Sequence, residues 1–186
     1  MGFRMKVRGR PVISSTSYVD FPATPWNYGS GHVNPTAALG PGLVYEFDSN
    51  DMVDFLCATA GANPTKIEML TGTEITCSDP VIAVYNLNYP SIGVAHMKGE
   101  VSAIRTVTYV GRGTATFKAF TRDAPGVKVS VKPNVLRFKK PGERQSFRVH
   151  FMPSKTTNNT YIIGSLSWIS GLYQVRSPIA VNVDSM

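Results

Sequence analysis

From Leu87 onward the apolar residues of this chain recur at every second position, and a period of two confines the backbone to extended strands with one face toward a core. The alternation stops at short turns of explicit chemistry. These are Gly111-Arg112-Gly113, Asp123 to Gly126 (DAPG), Lys139 to Glu143 (KKPGE), the polar run Pro153 to Asn159, and Ser170-Gly171. Between them the residues predict strands over Tyr89 to His96, Ile104 to Val110, Ala115 to Arg122, Val127 to Lys132, Val135 to Phe138, Gln145 to Phe151, Ile162 to Trp168 and Gln174 to Val183.

Strands this short, at this interval, predict a mainly β fold: an antiparallel β-sandwich of the immunoglobulin-like or fibronectin type III kind. An antibody-type domain is disfavoured, because this half contains no Cys…Trp…Cys pattern. The inward-facing candidates are Val107, Phe117, Val129, Val131, Leu136, Phe147, Val149, Leu166, Trp168 and Ile179. The whole chain of 186 residues is 42% hydrophobic and 17% charged, with 16 Gly and 13 Pro, which fits a turn-rich globular protein. Its apolar runs fall short of the roughly 20 residues that a membrane-spanning helix needs, so no membrane partner is expected.

Residues 1–86 read differently. Met1 to Pro25 shows no sustained period and is read as mostly irregular; it lacks the apolar run and cleavage site of a signal peptide. Trp26 to Tyr45 (WNYGSGHVNPTAALGPGLVY) is dense in Gly and Pro and predicts an ordered loop, with Trp26, Tyr28, Leu43, Val44 and Tyr45 as apolar anchors. A short amphipathic helix is predicted at about 50–60, with Asp48, Ser49 or Asn50 as its cap and Gly61 as its stop. A further half-turn is expected between Asn63 and Ser78. Cys57 and Cys77 lie 20 positions apart and are too few for a metal site. Either they form a disulfide, which would stabilise by about 3 kcal/mol, or they are two buried thiols.

Charge divides the chain at the same place. Residues 1–19 carry +4, residues 20–97 carry one Lys against eight acids, and residues 98–186 carry fourteen basic residues against four acids. Most basic residues of the distal half, among them Arg105, Lys118, Lys128, Lys132 and Arg148, alternate with apolar ones, which predicts a solvated sheet face. No zinc-finger spacing or aromatic-rich RNA-binding signature accompanies them, so nucleic acid is not expected as a partner.

Several segments together resemble the plant subtilisin-like serine proteases. They are Ala23 to Cys57 (ATPWNYGSGHVNPTAALGPGLVYEFDSNDMVDFLC), Leu87 to Val94 (LNYPSIGV), Arg105 to Gly111 (RTVTYVG), Ala124 to Phe138 (APGVKVSVKPNVLRF) and Gly164 to Val181 (GSLSWISGLYQVRSPIAV). The resemblance implies that residues 1–86 correspond to the end of an α/β peptidase domain and residues 87–186 to a fibronectin type III-like sandwich. It further implies a secreted parent, protein contacts with the protease domain, and roles in stability and interaction. The sequence departs from the family at Tyr109, where Asn is usual, and at Ile169 or Ser170, where Asp is usual.

The family's nucleophilic Ser, in a GTSMA-type motif, and its catalytic Asp, His and oxyanion Asn have no counterpart among these residues. No catalytic, cofactor or metal residue is therefore assigned. His96 and His150 read as sheet-face residues, and His32, in GSGHVNP, as a loop residue. Asp51 and Asp54 read as a solvated helix face. Asn158, in Asn-Asn-Thr, is the candidate N-glycosylation site, since Pro64 excludes Asn63. The expected function is that of a non-catalytic part of such a protease; the alternatives are a truncated gene model of an active endopeptidase and an independent basic binding sandwich. In the first case Trp26, Tyr28, Leu43, Val44 and Phe55 would be left partly bare.

Overall fold

A computed structural model describes residues 32–59, 61–171 and 173–186, together with Gly29 and five two-residue strands before them, Gly2–Phe3, Lys6–Val7, Arg10–Pro11, Ile13–Ser14 and Phe21–Pro22. The strand His32–Val33 pairs with Gly2–Phe3. Trp26 and Tyr28 lie outside the described residues, as does the side chain of His32.

The sandwich is built from β1 (Leu43–Val44), β2 (Ile92–Lys98), β3 (Val101–Tyr109), β4 (Ala115–Arg122), β5 (Val127–Lys132), β6 (Val135–Phe138), β7 (Arg144–Pro153), β8 (Ile162–Ser170) and β9 (Tyr173–Ser185). One sheet has the order β6-β4-β8-β9-β2 and the other β5-β7-β3-β1. Every ladder is antiparallel except that between the outer strand β2 and β9, which is parallel. In that pairing β2 advances from Val94 to Met97 while β9 advances from Val181 to Val183, so β2 carries an extra residue. His96 absorbs it at φ 51°, and the inward face resumes at Met97 instead of His96. The period of two breaks there, which is why the sequence pattern ends the strand early.

All ten inward-facing candidates are buried, at 8% exposure or less. Each buried Val, Leu, Ile or Phe contributes about 1.5–3 kcal/mol. Trp168 meets Phe147 edge-on at 5.0 Å between ring centres. At one end of the sandwich Tyr109 stacks on Phe138 at 5.3 Å and Phe117 stacks on Tyr173 at 6.0 Å. Tyr109, the residue at which the family usually has Asn, is thus a core aromatic, and its hydroxyl donates to the Arg112 carbonyl at 2.9 Å. Its ring would lie 2.5 Å from a Cβ at Gly111, so the turn after β3 closes over it only with glycine.

Among the described residues three α-helices lie before β2: α1 (Pro35–Ala38), ahead of β1, and α2 (Ser49–Ala58) and α3 (Pro64–Thr71), between β1 and β2. Asp48 caps α2, accepting from the backbone N–H groups of Asn50 and Asp51, while the Asp51 carboxylate accepts from Asp48 N–H, a reciprocal capping box. The half-turn expected after Asn63 is instead a full helix, α3. Asn63 caps it, Pro64 occupies its first turn, and Gly72 ends it at φ 71°.

Candidate functional site

Arg105 faces the core, not the solvated sheet face expected for it. Parity decides this, because Ala103, Arg105, Val107 and Tyr109 all point inward from β3. Arg105 is 2% exposed and, among the described residues, has no carboxylate partner; its guanidinium donates to four backbone carbonyls, those of Tyr89 (2.9 Å), Tyr85 (2.8 Å), Ile104 (2.8 Å) and Ser91 (3.2 Å). Burial lowers its pKa to about 10, opposed by the nearby Tyr45. Tyr45 in turn has its pKa raised by burial, and its hydroxyl lies 2.9 Å from Ser177 Oγ on β9. At neutral pH Arg105 is charged and Tyr45 neutral.

The segment that Arg105 grips, residues 85–91, is also fastened to the outer edge of β3. Asn86 Oδ1 accepts from Ile104 N–H at 2.9 Å, and Asn88 Oδ1 accepts from Thr106 N–H at 2.8 Å. Asn88 Nδ2 donates to the carbonyls of Thr106 and Glu46 at 2.8 and 2.7 Å. These amides occupy the edge groups of β3 where no strand follows, and two residues further on β1 takes over, pairing Leu43 with Tyr109 and Val44 with Thr108. Thr108 Oγ1 donates to Glu46 Oε2 at 2.5 Å, and Val110 N–H donates to the Gly42 carbonyl. Gly42 has φ 78° and lies so close to Tyr173 that an added Cβ would meet the ring at 2.7 Å. Leu43, expected to be partly bare, is buried in the sandwich core as a result, whereas Val44 is half-buried.

Beyond this seam the helices are weakly packed. None of the residues of α2 is fully buried, so Phe55 is only half-covered, and in α3 only Ile67 is buried. Met69 (82% exposed) and Leu70 (75%) project from α3, and Val81 and Ile82 are also exposed. Cys57 and Cys77 are joined, with Cα atoms 5.8 Å apart. Asp54 is not simply a solvated residue: its Oδ1 accepts from Ser78 Oγ at 2.6 Å and from Ser78 N–H at 3.3 Å, fastening the segment after Cys77 to α2. Asp51, Asp54, Phe55, Ile82 and Leu87 line a shallow cleft between α2 and the seam.

The other candidates are dispersed. His96 Nδ1 lies 3.0 Å from Asp184 Oδ2, and His150 Nδ1 lies 2.9 Å from Ser102 Oγ. His96 and Asp184 are cross-strand neighbours at the end of one sheet, and Ser102 and His150 are opposite each other in the other. Among the described residues no third group orients the His150 ring toward Ser102, and no group of three or more His, Cys, Asp or Glu side chains has metal-binding geometry. No helix among the described residues is long and apolar enough to cross a membrane. Asn158 is exposed at φ 47° on a loop that Thr157 fastens to β9 through Val183. The buried Arg105 clamp and the two Asn side chains were the features sequence reasoning missed.

Comparison with known proteins follows the same division. The family described as "Fibronectin type-III domain" matches residues 86–181. The subtilisin-like serine-protease S of Lotus japonicus is 48% identical over 161 residues, covering 87% of this chain and 21% of its own length. The subtilisin-like proteases SBT5.3 and SBT5.4 of Arabidopsis thaliana are 41% and 40% identical, covering 87% and 88% of this chain and 21% of each relative. The chain thus spans about a fifth of the length of these relatives. It belongs to the fibronectin type-III domain family, in a polypeptide whose relatives are the plant subtilisin-like proteases.

Proposed function

We propose that these residues are a non-catalytic part of a subtilisin-like serine endopeptidase, with the sandwich as a structural and stabilising module and residues 32–86 as the surface that joins it to the protease domain. The carrying observation is the contrast between a closed sandwich core and a helical segment in which α2 buries no residue while Met69 and Leu70 stand open. Two short helices with bare apolar side chains are what a chain shows where a second body packs. The seam formed by Arg105, Asn86, Asn88 and β1 supports the same reading, because it fastens the segments on either side of α2 and α3 to the sandwich. The joined Cys57 and Cys77 support an oxidising, extracellular setting.

A nucleophile, its base, an orienting group and oxyanion donors are all needed for acyl transfer, and no described constellation supplies them together. The purified chain, incubated with a fluorophosphonate probe, is expected to stay unlabelled. Stoichiometric labelling of a serine would overturn the non-catalytic assignment.

The coverage of about a fifth of each relative favours a second reading as well, that these residues end a longer, active endopeptidase whose triad lies upstream. Sequencing the 5′ end of the transcript decides it, an in-frame GTSMA-type helix placing the whole product among the endopeptidases.

A further inference from the structure

The outward face of the sheet β5-β7-β3 carries uncompensated positive charge at close range. Lys132 and Arg148 are direct cross-strand partners, and since Val131 and Val149 point inward, both charges point outward together. Lys128 lies on the same face of β5, about 13 Å along the strand from Lys132. All three are exposed. Like charges directly opposite one another destabilise a sheet, and no ion pair among the described residues relieves them. Among the described residues the ion pairs are His96 with Asp184 and Arg144 with Glu46 at 4.0 Å, so only one acid of residues 32–86 reaches this sheet, at its far end.

Around the charges lie hydroxyl groups, the His150 imidazole and one aliphatic side chain, Ile104, which faces Arg148 from β3. Ser130 lies between Lys128 and Lys132 on β5, opposite His150, and Ser146 and Thr106 share a hydrogen bond of 2.8 Å two residues along from Arg148. No Phe, Tyr or Trp of these three strands points outward; Phe147, Phe151 and Tyr109 are all buried. A surface that binds single-stranded nucleic acid combines positive charge with aromatic platforms for the bases, and this face has the charge without the platforms. Carboxylates on a hydroxyl-rich, non-aromatic chain are what a flat row of Lys, Arg and Ser side chains can pair with, since each cation takes one carboxylate oxygen and each hydroxyl donates to or accepts from a sugar hydroxyl.

We propose that this face, centred on Lys132 and Arg148 with Lys128, binds a linear anionic polysaccharide of the polyuronate class. The site is independent of the protease reading above and lies on the opposite side of β3's sheet from the core that Arg105 enters.

Fluorescently labelled oligogalacturonate, titrated against the full chain at low ionic strength, tests it. Wild-type protein is expected to bind this probe and not neutral dextran, with affinity falling steeply as salt rises. Lys132→Glu and Arg148→Glu are each expected to weaken binding by at least about fivefold, whereas Lys118→Glu, an equal charge change on the outer face of the other sheet, changes it by less than about twofold. Each of the first two also replaces a like-charge pair by an opposite one, so the melting temperature is expected to hold or rise, which separates loss of binding from loss of fold. Three results would overturn the proposal: no binding at low ionic strength, an equal loss in Lys118→Glu, or an oligouridylate probe binding as tightly as the oligogalacturonate.

Discussion

A cation that is 2% exposed and has no anion beside it among the described residues is costly unless its donors are used. Arg105 meets that condition with carbonyls alone, and the planar fork of the guanidinium is what lets one side chain reach Tyr85, Tyr89, Ser91 and its own neighbour Ile104. Removing it strands those acceptors. Arg105→Leu is expected to destabilise the fold by about 2–4 kcal/mol in denaturant unfolding, because four carbonyls lose a shared donor at once. Arg105→Lys keeps a positive charge but loses the fork, so its cost is expected to approach that of the Leu variant. A loss below about 0.5 kcal/mol in both would show that the clamp adds nothing to stability.

At the level of elements, Asn86 and Asn88 substitute for a missing strand, extending the edge of β3 by side chain where β1 extends it by backbone. Asn88→Ala leaves the Thr106 N–H without its acceptor and two carbonyls without a donor. A loss of about 2 kcal/mol is expected, with faster hydrogen exchange at Thr106 and unchanged protection in the β8-β9 ladder; uniform deprotection would contradict a local role. Most of the strand pattern behind this seam was legible in the sequence, since alternation and turn chemistry carry the information, and β4, β5 and β6 have the expected bounds. The same parity that places Val107 inside places Arg105 inside, so the misplaced residue was legible too; reading a charge as solvent-facing overrode the period. Asn63, Pro64 and Gly72 likewise announce α3 by its caps, although its apolar face is too thin to register as a period. What the sequence pattern does not carry is partnership at long range: nothing local says that Asn88 meets β3 or that Asp54 meets Ser78.

The molecule as a whole divides into a part that stabilises itself and a part held by few contacts. The sandwich closes around Phe117, Phe138, Trp168 and their neighbours, all buried, while α2 and α3 together bury only Ile67. Two short helices with so little buried area do not hold by propensity alone. What ties them is the Cys57–Cys77 bond, the Asp54–Ser78 hydrogen bonds and the coupling of residues 85–91 to β3. Closing a loop of this size contributes about 3 kcal/mol by restricting the unfolded chain, which is a large share of what the helical segment has and a small share of what the sandwich has. Reduction, or the pair of substitutions Cys57→Ser and Cys77→Ser, is therefore expected to loosen residues 49–78 selectively. Limited proteolysis would then cut first within that stretch and leave a resistant sandwich that keeps β1 and residues 85–91 bound to β3, with a melting temperature close to that of the oxidised protein. If reduction instead exposes the sandwich strands to cleavage at the same rate, the helical segment and the sandwich unfold as one unit, and the seam at β3 couples them more tightly than the sparse burial of the helices implies.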